Sequence, residues 1–508
     1  MPIRIEKFCP LLRKYGKSLR ASSHFAIDWT STWAIIHFCL AEMAMKEIGV
    51  ILMAAGQGTR MKSRLPKVLH PLAGKPLFLH TLGTALRLEP SRVVVVIGHG
   101  AETVRQAYAP GGVTWIVQEK QLGTGHAVQC ARESFRDFIG DVVILSGDVP
   151  LIREETLWRM INTHREGHAA LTLMTALLDE PTGYGRVLRD ARGKIAGIVE
   201  EPDATEAQKR IREVNAGLYV AAPEFVFPAL NKICNHNRQG EYYLPDVLKI
   251  GLDEKRAIAT VQVDDSGEMK GVNTREELAA MEKTLQERIN RKWMEAGVTL
   301  KDPQTIYIEE GVTLGKDTVI GPNTHLRGRT VIGERCQIDG SAYLTDAELE
   351  DEVHLLFSVV ITSSRIASGA IVGPFAHLRP GTSLGRNVHI GNFVEAKQAT
   401  IGEGTKANHL TYLGDCTIGR ETNIGAGTIT CNYDGFNKYR TSIGDRVQVG
   451  SDTTLIAPVS LGDDVYVATA TTVRHDVPAG ALVFNERREA VREGWTEQKR
   501  KKMKGSKE

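Results

Sequence analysis

Three short stretches of this chain carry residue types whose spacing could do chemistry. The first is Met53-Ala54-Ala55-Gly56-Gln57-Gly58-Thr59-Arg60-Met61, followed closely by Leu65-Pro66-Lys67. Two glycines let backbone N–H groups approach phosphate oxygens, and Arg60 and Lys67 add two fixed cations. The loop is not a dinucleotide fingerprint, because methionine stands at position 61 where a third glycine would sit. Nor is it a Walker A loop, because no Gly-Lys-Ser/Thr follows. A glycine-rich loop alone is weak support for a phosphate site; the combined GxGTRM and Pro-Lys pattern is far more specific. The second stretch is Ser146-Gly147-Asp148, which closes the apolar run Val142 to Leu145. A carboxylate at a strand's end is well placed to hold a divalent cation beside a phosphate; the lesser alternative is a helix or turn cap. The third gathers Arg379, Lys397, His409-Leu410-Thr411-Tyr412 and Asn423, then enters Gly427-Thr428-Ile429-Thr430-Cys431-Asn432-Tyr433. Histidine ionises near neutral pH and suits a general base, but a single histidine on a repeat surface is usually only a surface residue.

The elements that must position these residues follow from the period of the apolar ones. Ile48 to Met53 is a short apolar run ending in the glycine-rich loop, so it reads as a buried strand. Similar runs recur at Val93–Ile97, Val113–Val117 and Val142–Leu145, with helix-compatible stretches between them. That alternation predicts an α/β layer with a mostly parallel sheet, whose ligands lie beyond the carboxyl ends of the strands. Leu278, Met281, Leu285 and Ile289 recur at helical spacing within residues 275–297, with Gly297 as a stop. From Val298 the period shortens to six: Leu314-Gly315, Ile320-Gly321, Ile332-Gly333, and onward to Leu461-Gly462. Such a period fits a β-solenoid in which each short strand sends one aliphatic side chain into a stacked core. Glycine is expected at its corners, where φ turns positive. Arg379 and Lys397, eighteen residues apart, then lie about one coil apart and can share one phosphate. Thr430 to Ser442 breaks the period and is expected to project as a loop.

The domain reading is therefore an N-terminal extension (1–46), an α/β unit (47–274), a connector helix (275–297), a repeat domain (298–485) and a basic tail (486–508), the last read as a solvated, unstructured segment. The whole chain has 508 residues and a formal net charge of +2, which gives no field that would attract nucleic acid. Its seven cysteines are widely spaced, without a CxxC pair, as in a reduced cytoplasmic protein. The longest apolar stretch near the start, Trp33 to Met45, is short and carries His37 and Glu42, so no membrane span is predicted. The strand that opens the fold starts at Ile48, just after Met43 and Met45, so residues 1–46 are expected to be dispensable.

The GxGTRM and Pro-Lys segment resembles the signature of sugar-nucleotide pyrophosphorylases. With the repeats behind it, residues 47–485 resemble the bacterial bifunctional family that couples N-acetylglucosamine-1-phosphate uridylyltransferase to glucosamine-1-phosphate acetyltransferase. The resemblance implies a Rossmann-like nucleotidyltransferase domain joined by a long helix to a left-handed parallel β-helix. It implies synthesis of UDP-N-acetylglucosamine, a precursor for peptidoglycan and lipopolysaccharide, from UTP and acetyl-CoA with Mg²⁺, in a cytoplasmic homotrimer. By the same resemblance Met53, Ala54, Ala55, Gly56, Lys67, Gln118, Gly123, Thr124, Ser146, Gly147 and Asp148 bind the nucleotide. Gly185, Glu200, Asn215 and Asn273 join that site, with Asp148 and Asn273 as metal ligands and Arg60 and Lys67 stabilising the reacting phosphates. On the repeats it implies His409 as general base and Arg379, Lys397, Tyr412 and Asn423 as contacts to the sugar phosphate. Ala426, Asn432, Tyr433, Ser451, Thr469 and Arg487 then match acetyl-CoA positions. Two departures bear on the coenzyme: Ala468-Thr469-Ala470 stands where the family often has Ala-Ala-Gly, and Asn485-Glu486-Arg487 where a Ser-Arg pair is usual. An uridylyltransferase with an inert solenoid scaffold would not need the intact Arg379, Lys397 and His409 set. A sugar-nucleotide-binding regulator would not need both Arg60 and Asp148.

Overall fold

A computed structural model describes residues 47–108, 111–486 and 489–505. The expected N-terminal extension and Arg487 lie outside the described residues. The strand Glu47–Ala54 pairs in parallel with Arg92–Ile97 on one side and Gly140–Ser146 on the other. Val50, Ile51 and Leu52 are fully buried, because helices cover both faces of the sheet and leave no polar side to alternate with. Across the sheet the order is Ile258–Gln262, Leu171–Leu177, Glu213–Ala221, Gly140–Ser146, Glu47–Ala54, Arg92–Ile97, Thr114–Val117. The sheet is more mixed than the alternation of elements suggested: Glu213–Ala221 runs antiparallel to both its neighbours. Apolar periodicity reports that a strand is buried and says nothing of its direction.

The long helix Arg275–Glu295 starts on a reciprocal capping box between Thr274 and Glu277. Met281, Leu285 and Ile289 are buried on one side of it. They join one apolar cluster with Met61, Leu72 and Leu77 of the α/β unit and Leu300, Ile306 and Ile308 of the first coil. The hairpin Pro71–Pro76 reaches into this junction. Its Ala73 N–H donates to Glu282 at 2.9 Å and its Lys75 ammonium to Glu310 at 2.9 Å. The helix therefore does not hold the two units apart; both pack on it.

Beyond the helix the chain winds into a left-handed parallel β-helix of three strand rows per coil. Leu326, Leu344, Ile361, Leu378, Ala396 and Leu413 sit in register on successive coils, and all are fully buried. Apart from Gly373, at φ +109°, the repeat glycines do not take the positive φ that the sequence reading expected. Gly315, Gly321 and Gly391 have no positive φ, yet a Cβ on each would come within 2.4, 2.2 and 2.1 Å of the next coil's backbone. They are glycine because the coils approach too closely for a side chain. The left-handed corners fall instead at residues such as Asn323, Ser341, Phe375, Phe393 and Leu410. After the last coil the chain holds a helix at Trp495–Gly505, where an unstructured tail was expected; its Glu, Gln, Lys, Arg and Met content is that of good helix formers.

Leu344→Ala should destabilise the β-helix by about 2–5 kcal/mol, the usual cost of a fully buried Leu truncation. Guanidinium unfolding followed by circular dichroism measures it; a cost below 1 kcal/mol would mean the coils collapse around the gap.

Candidate functional site

The loop after the first strand leaves it at the carboxyl edge of the sheet and turns through Gly58, at φ +63°. A Cβ there would meet Lys67 Cβ at 2.5 Å, so glycine lets the loop fold back over Lys67. The backbone N–H groups of Gly56, Gln57 and Gly58 donate no hydrogen bond among the described residues. Met61, buried, pins the end of the loop, and its carbonyl accepts from Arg275 Nε at 3.3 Å. Next to it Gly147 N–H donates to Met53 O at 2.8 Å, which sets Ser146 and Asp148 beside the loop.

Lys67 reaches the centre of this arrangement. Its ammonium contacts the Asp148 carboxylate and donates to Asn273 Oδ1 at 3.1 Å. Ser146 Oγ donates to the other oxygen of Asp148 at 2.5 Å. Burial would push the Asp148 carboxyl up, but the Lys67 charge and hydrogen bond, with Ser146, hold it below the ordinary carboxylate range. A cation thus already sits between a carboxylate and an amide oxygen, the hard donors a divalent cation takes. Among the described residues no group of three or more His, Cys, Asp or Glu is placed to hold a metal. A cation here would therefore rest on Asp148, Asn273 and oxygens from a ligand.

These residues line a cleft of about 440 Å³ with Arg60, Gln118, Gly123 and Thr124. Gln118, on the end of Thr114–Val117, is 3% exposed. Gly123 N–H has no partner among the described residues. A second cavity of about 190 Å³ shares Met53 and Thr124 with the first and contains Gly185, Glu200, Asn215, Tyr219 and Gly217. Asn215 Nδ2 donates to Tyr219 at 2.7 Å, and its Oδ1 accepts from Gly217 N–H at 3.2 Å. A Cβ on Gly185 would lie 2.8 Å from the Glu200 carboxylate, so glycine there leaves room for that side chain. The structure brings every residue expected in the nucleotide site into the lining of these two adjoining cavities except Gly147, which packs behind them against Met53 and Phe78. Tyr219 and Gly217 were missed, because their strand reads as plain apolar core.

On the β-helix the structure divides the expected residues between rows. Arg379 and Lys397 sit one coil apart, next to the pairs His377–Glu395 and Leu378–Ala396. Arg379 donates to Glu395 at 2.7 Å, and Tyr412 pairs with Glu395 across the next coil. His409 lies around the corner at Leu410, on another row, in register with Asn392. Continuing the register of Ala407, Ile424, Val449 and Val467 by two residues places Ala426, Ser451 and Thr469 in line with His409. Asn423 is also on that sheet, in the row of Lys406 and Gln448. One chain therefore does not bring Asn423 together with Arg379 and Lys397. Asn432 donates to Asp415 at 2.5 Å at the base of the projecting loop, whose Tyr433 is exposed. The loop also carries Lys438, which the sequence reading missed. Lys438 lies against Lys397 and, with Arg379, holds the Lys397 ammonium below its usual range. Three cations thus lie close together, with the carboxylates of Glu395 and Asp415 beside them. Lys438 stands where the six-residue period is broken, so nothing in the pattern says which way it points.

Burial, with Asp246 and Asp203, pushes the Glu200 carboxyl up to about 7. The folded chain thus keeps a proton that the unfolded chain releases from its ordinary value of 4.5 upward. Stability contributed by that proton is lost as pH rises through this window. Glu200→Gln should therefore gain melting temperature relative to the parent chain between pH 4.5 and 7.5 and hold the gain above that. A constant difference across the range would show an ordinary carboxylate.

Comparison with known proteins agrees with both halves. Residues 50–213 match the MobA-like NTP transferase domain. The chain is 46% identical to the bifunctional protein GlmU of Pelobacter propionicus over 459 residues, covering 90% of this chain and all of that one. It is 45% identical to the GlmU of Geobacter sulfurreducens over 474 residues, 90% and 100% of the two chains. To the GlmU of Geotalea uraniireducens it is 46% identical over 452 residues, 89% and 99%. Over nearly its whole length, then, the chain belongs to the GlmU family of bifunctional uridylyltransferase and acetyltransferase enzymes of UDP-N-acetylglucosamine synthesis.

Proposed function

We propose that the α/β unit, residues 47–274, carries the uridylyl step and the β-helix, residues 298–485, the acetyl step that precedes it. The observation that carries the first assignment is the Lys67 ammonium lodged between Asp148 and Asn273, in one cleft with the Gly56–Gly58 loop, whose N–H groups have no partner among the described residues. The phosphate oxygen of N-acetylglucosamine-1-phosphate attacks the α-phosphorus of UTP, and the bond to pyrophosphate breaks. No covalent group on the protein is needed; positioning and charge neutralisation suffice. Arg60 and Lys67 meet the charge that develops on the leaving pyrophosphate. Gln118 and Gly123 take the base, and Gly185, Glu200 and Asn215 the acetylated sugar. Asp148 and Asn273 would hold Mg²⁺, which would supply phosphate orientation and charge neutralisation.

In the acetyl step His409 takes a proton from the glucosamine amine as its nitrogen attacks the thioester carbonyl. The C–S bond breaks, and the proton passes to the departing coenzyme A thiolate. Arg379, Lys397 and Lys438 hold the sugar phosphate, with Tyr412 and Asn423 on the sugar. Ala426, Ser451 and Thr469 continue the His409 row as a track for acetyl-CoA, with Asn432 and Tyr433 beside it; Arg487 is a further coenzyme contact.

A homotrimer completes this site. Asn423 and the phosphate cations lie on different sheets of one chain, so a neighbouring copy must bring them together. Phe357, Phe375, Phe393 and Leu410 form an exposed apolar ridge along the corner between those sheets. Such head-to-tail contacts close in a cyclic assembly. Among the described residues no helix is long and apolar enough to cross a membrane, in keeping with a cytoplasmic enzyme acting on soluble sugar phosphates.

His409→Ala should lower acetyl transfer by about 10²–10⁴ and spare uridylyl transfer from supplied N-acetylglucosamine-1-phosphate. Asp148→Ala should do the converse. Both variants are assayed in both half-reactions with trimer assembly followed by light scattering; loss of uridylyl transfer in an intact His409→Ala trimer would refute separate sites.

A chelator should abolish pyrophosphate release and leave release of free coenzyme A unchanged. Equal loss of both would remove Asp148 and Asn273 as local metal ligands.

A further inference from the structure

An amide side chain is nearly symmetric in shape, so what it offers a ligand depends on what holds its other end. Gln118 closes one end of the nucleotide cleft, and its Nε2 has two partners behind it. It donates to Gly123 O at 3.2 Å and to His126 Nδ1 at 2.9 Å. A backbone carbonyl can only accept, but at 3.2 Å this one is the weaker of the two holds on the nitrogen. The Gly123 carbonyl is also shared with the Ala127 N–H at 3.1 Å, which leaves His126 as the shorter and less divided partner. With both amide hydrogens used, Oε1 is left without a protein partner among the described residues. Gly123, whose N–H also has no partner among the described residues, lines the same cleft.

His126 can accept at Nδ1 only as the neutral ring with its proton on Nε2. Behind the ring, Cys130 Sγ lies 4.0 Å from Nε2. His126 sits in the first turn of the helix Thr124–Cys130, and Gly123, at φ +104°, is its N-cap. A Cβ on Gly123 would meet the Tyr242 carbonyl at 2.7 Å, so the helix start is fixed against a second segment.

We infer that His126 is a positioning residue for base choice: by accepting from the Gln118 amide nitrogen it turns the amide oxygen toward the base, which admits the N3–H of uracil and rejects the N3 lone pair of cytosine. The inference rests on the reading of Gln118 as the base contact. Without His126, one amide hydrogen of a side chain 3% exposed loses its partner. The amide can then turn and present its NH₂ to the base, where it suits cytosine N3.

The test compares kcat/KM for UTP and CTP, with N-acetylglucosamine-1-phosphate as acceptor, in the full-length enzyme. His126→Leu should lower the UTP-to-CTP ratio about tenfold or more, a modest share of what hydrogen-bond recognition can supply, mainly through KM. His126→Asn, whose Oδ1 can take the place of Nδ1, should restore most of the ratio. Gln118→Leu should lose it. Acetyl transfer by the same preparations reports folding, and His126→Phe, which keeps a ring without the acceptor, replaces His126→Leu if that variant fails this check. A parental ratio in His126→Leu beside a lost ratio in Gln118→Leu overturns the role of His126 alone. A parental ratio in Gln118→Leu overturns the base contact itself and the inference with it. Failure of His126→Asn to restore the ratio replaces the hydrogen bond with mere packing and overturns the inference too.

Discussion

A parallel solenoid has an open first coil, and an open coil is a row of backbone groups without partners. Here the helix Arg275–Glu295 closes it. Gln286 accepts from Ile308 N–H at 2.9 Å, and Asn290 donates to the carbonyls of Pro303 at 2.8 Å and Ile306 at 3.0 Å. Both side chains are buried, so each satisfied group avoids a desolvation cost of about 1–3 kcal/mol. Buried polar groups on an otherwise amphipathic helix are the mark of a cap: they do for the first coil what the preceding coil does for every other.

The same helix sets the nucleotide site. Its capping box fixes Thr274 and Glu277, Glu277 also accepts from Asn273 N–H at 2.5 Å, and Asn273 meets Lys67. One residue further, Arg275 ties the end of the glycine-rich loop to the helix and reaches His70 Nδ1 at 3.3 Å. Burial, with the Arg275 charge, holds His70 below its usual range, so it stays neutral and can accept. The helix that closes the β-helix thus carries, at its other end, the contacts that hold Asn273 and the end of the glycine-rich loop. The two activities are separate in chemistry, yet their scaffolds share a core that includes Met61, Met281 and Ile308.

The two sites differ in how far one chain completes them. The nucleotide cleft is assembled from segments far apart in sequence but within one fold. Coil stacking can align residues along a row with great regularity, as it does for His409, Ala426, Ser451 and Thr469, yet it cannot bring one face of the solenoid onto another. Arg379, Lys397 and Lys438 converge because a loop leaves the coil; Asn423 has no such route. This is the physical reason to look between copies for the acetyl site.

Much of this was legible in the sequence. The apolar runs at Ile48–Met53 and Val142–Leu145, the helical spacing of Met281, Leu285 and Ile289, and the six-residue period each report a buried face. Burial follows directly from side-chain chemistry and spacing. The Gly56–Lys67 pattern and the eighteen-residue step from Arg379 to Lys397 were likewise readable, since both depend on local geometry. Tertiary structure decided the rest. It set the direction of Glu213–Ala221, made the repeat glycines a matter of coil-to-coil contact rather than of φ, and brought Lys438 to Lys397. It also turned Gln286, Asn290 and Arg275 from ordinary polar residues of a helix into its working contacts. Each of these depends on what lies opposite a residue in space, and a sequence records only what lies beside it along the chain.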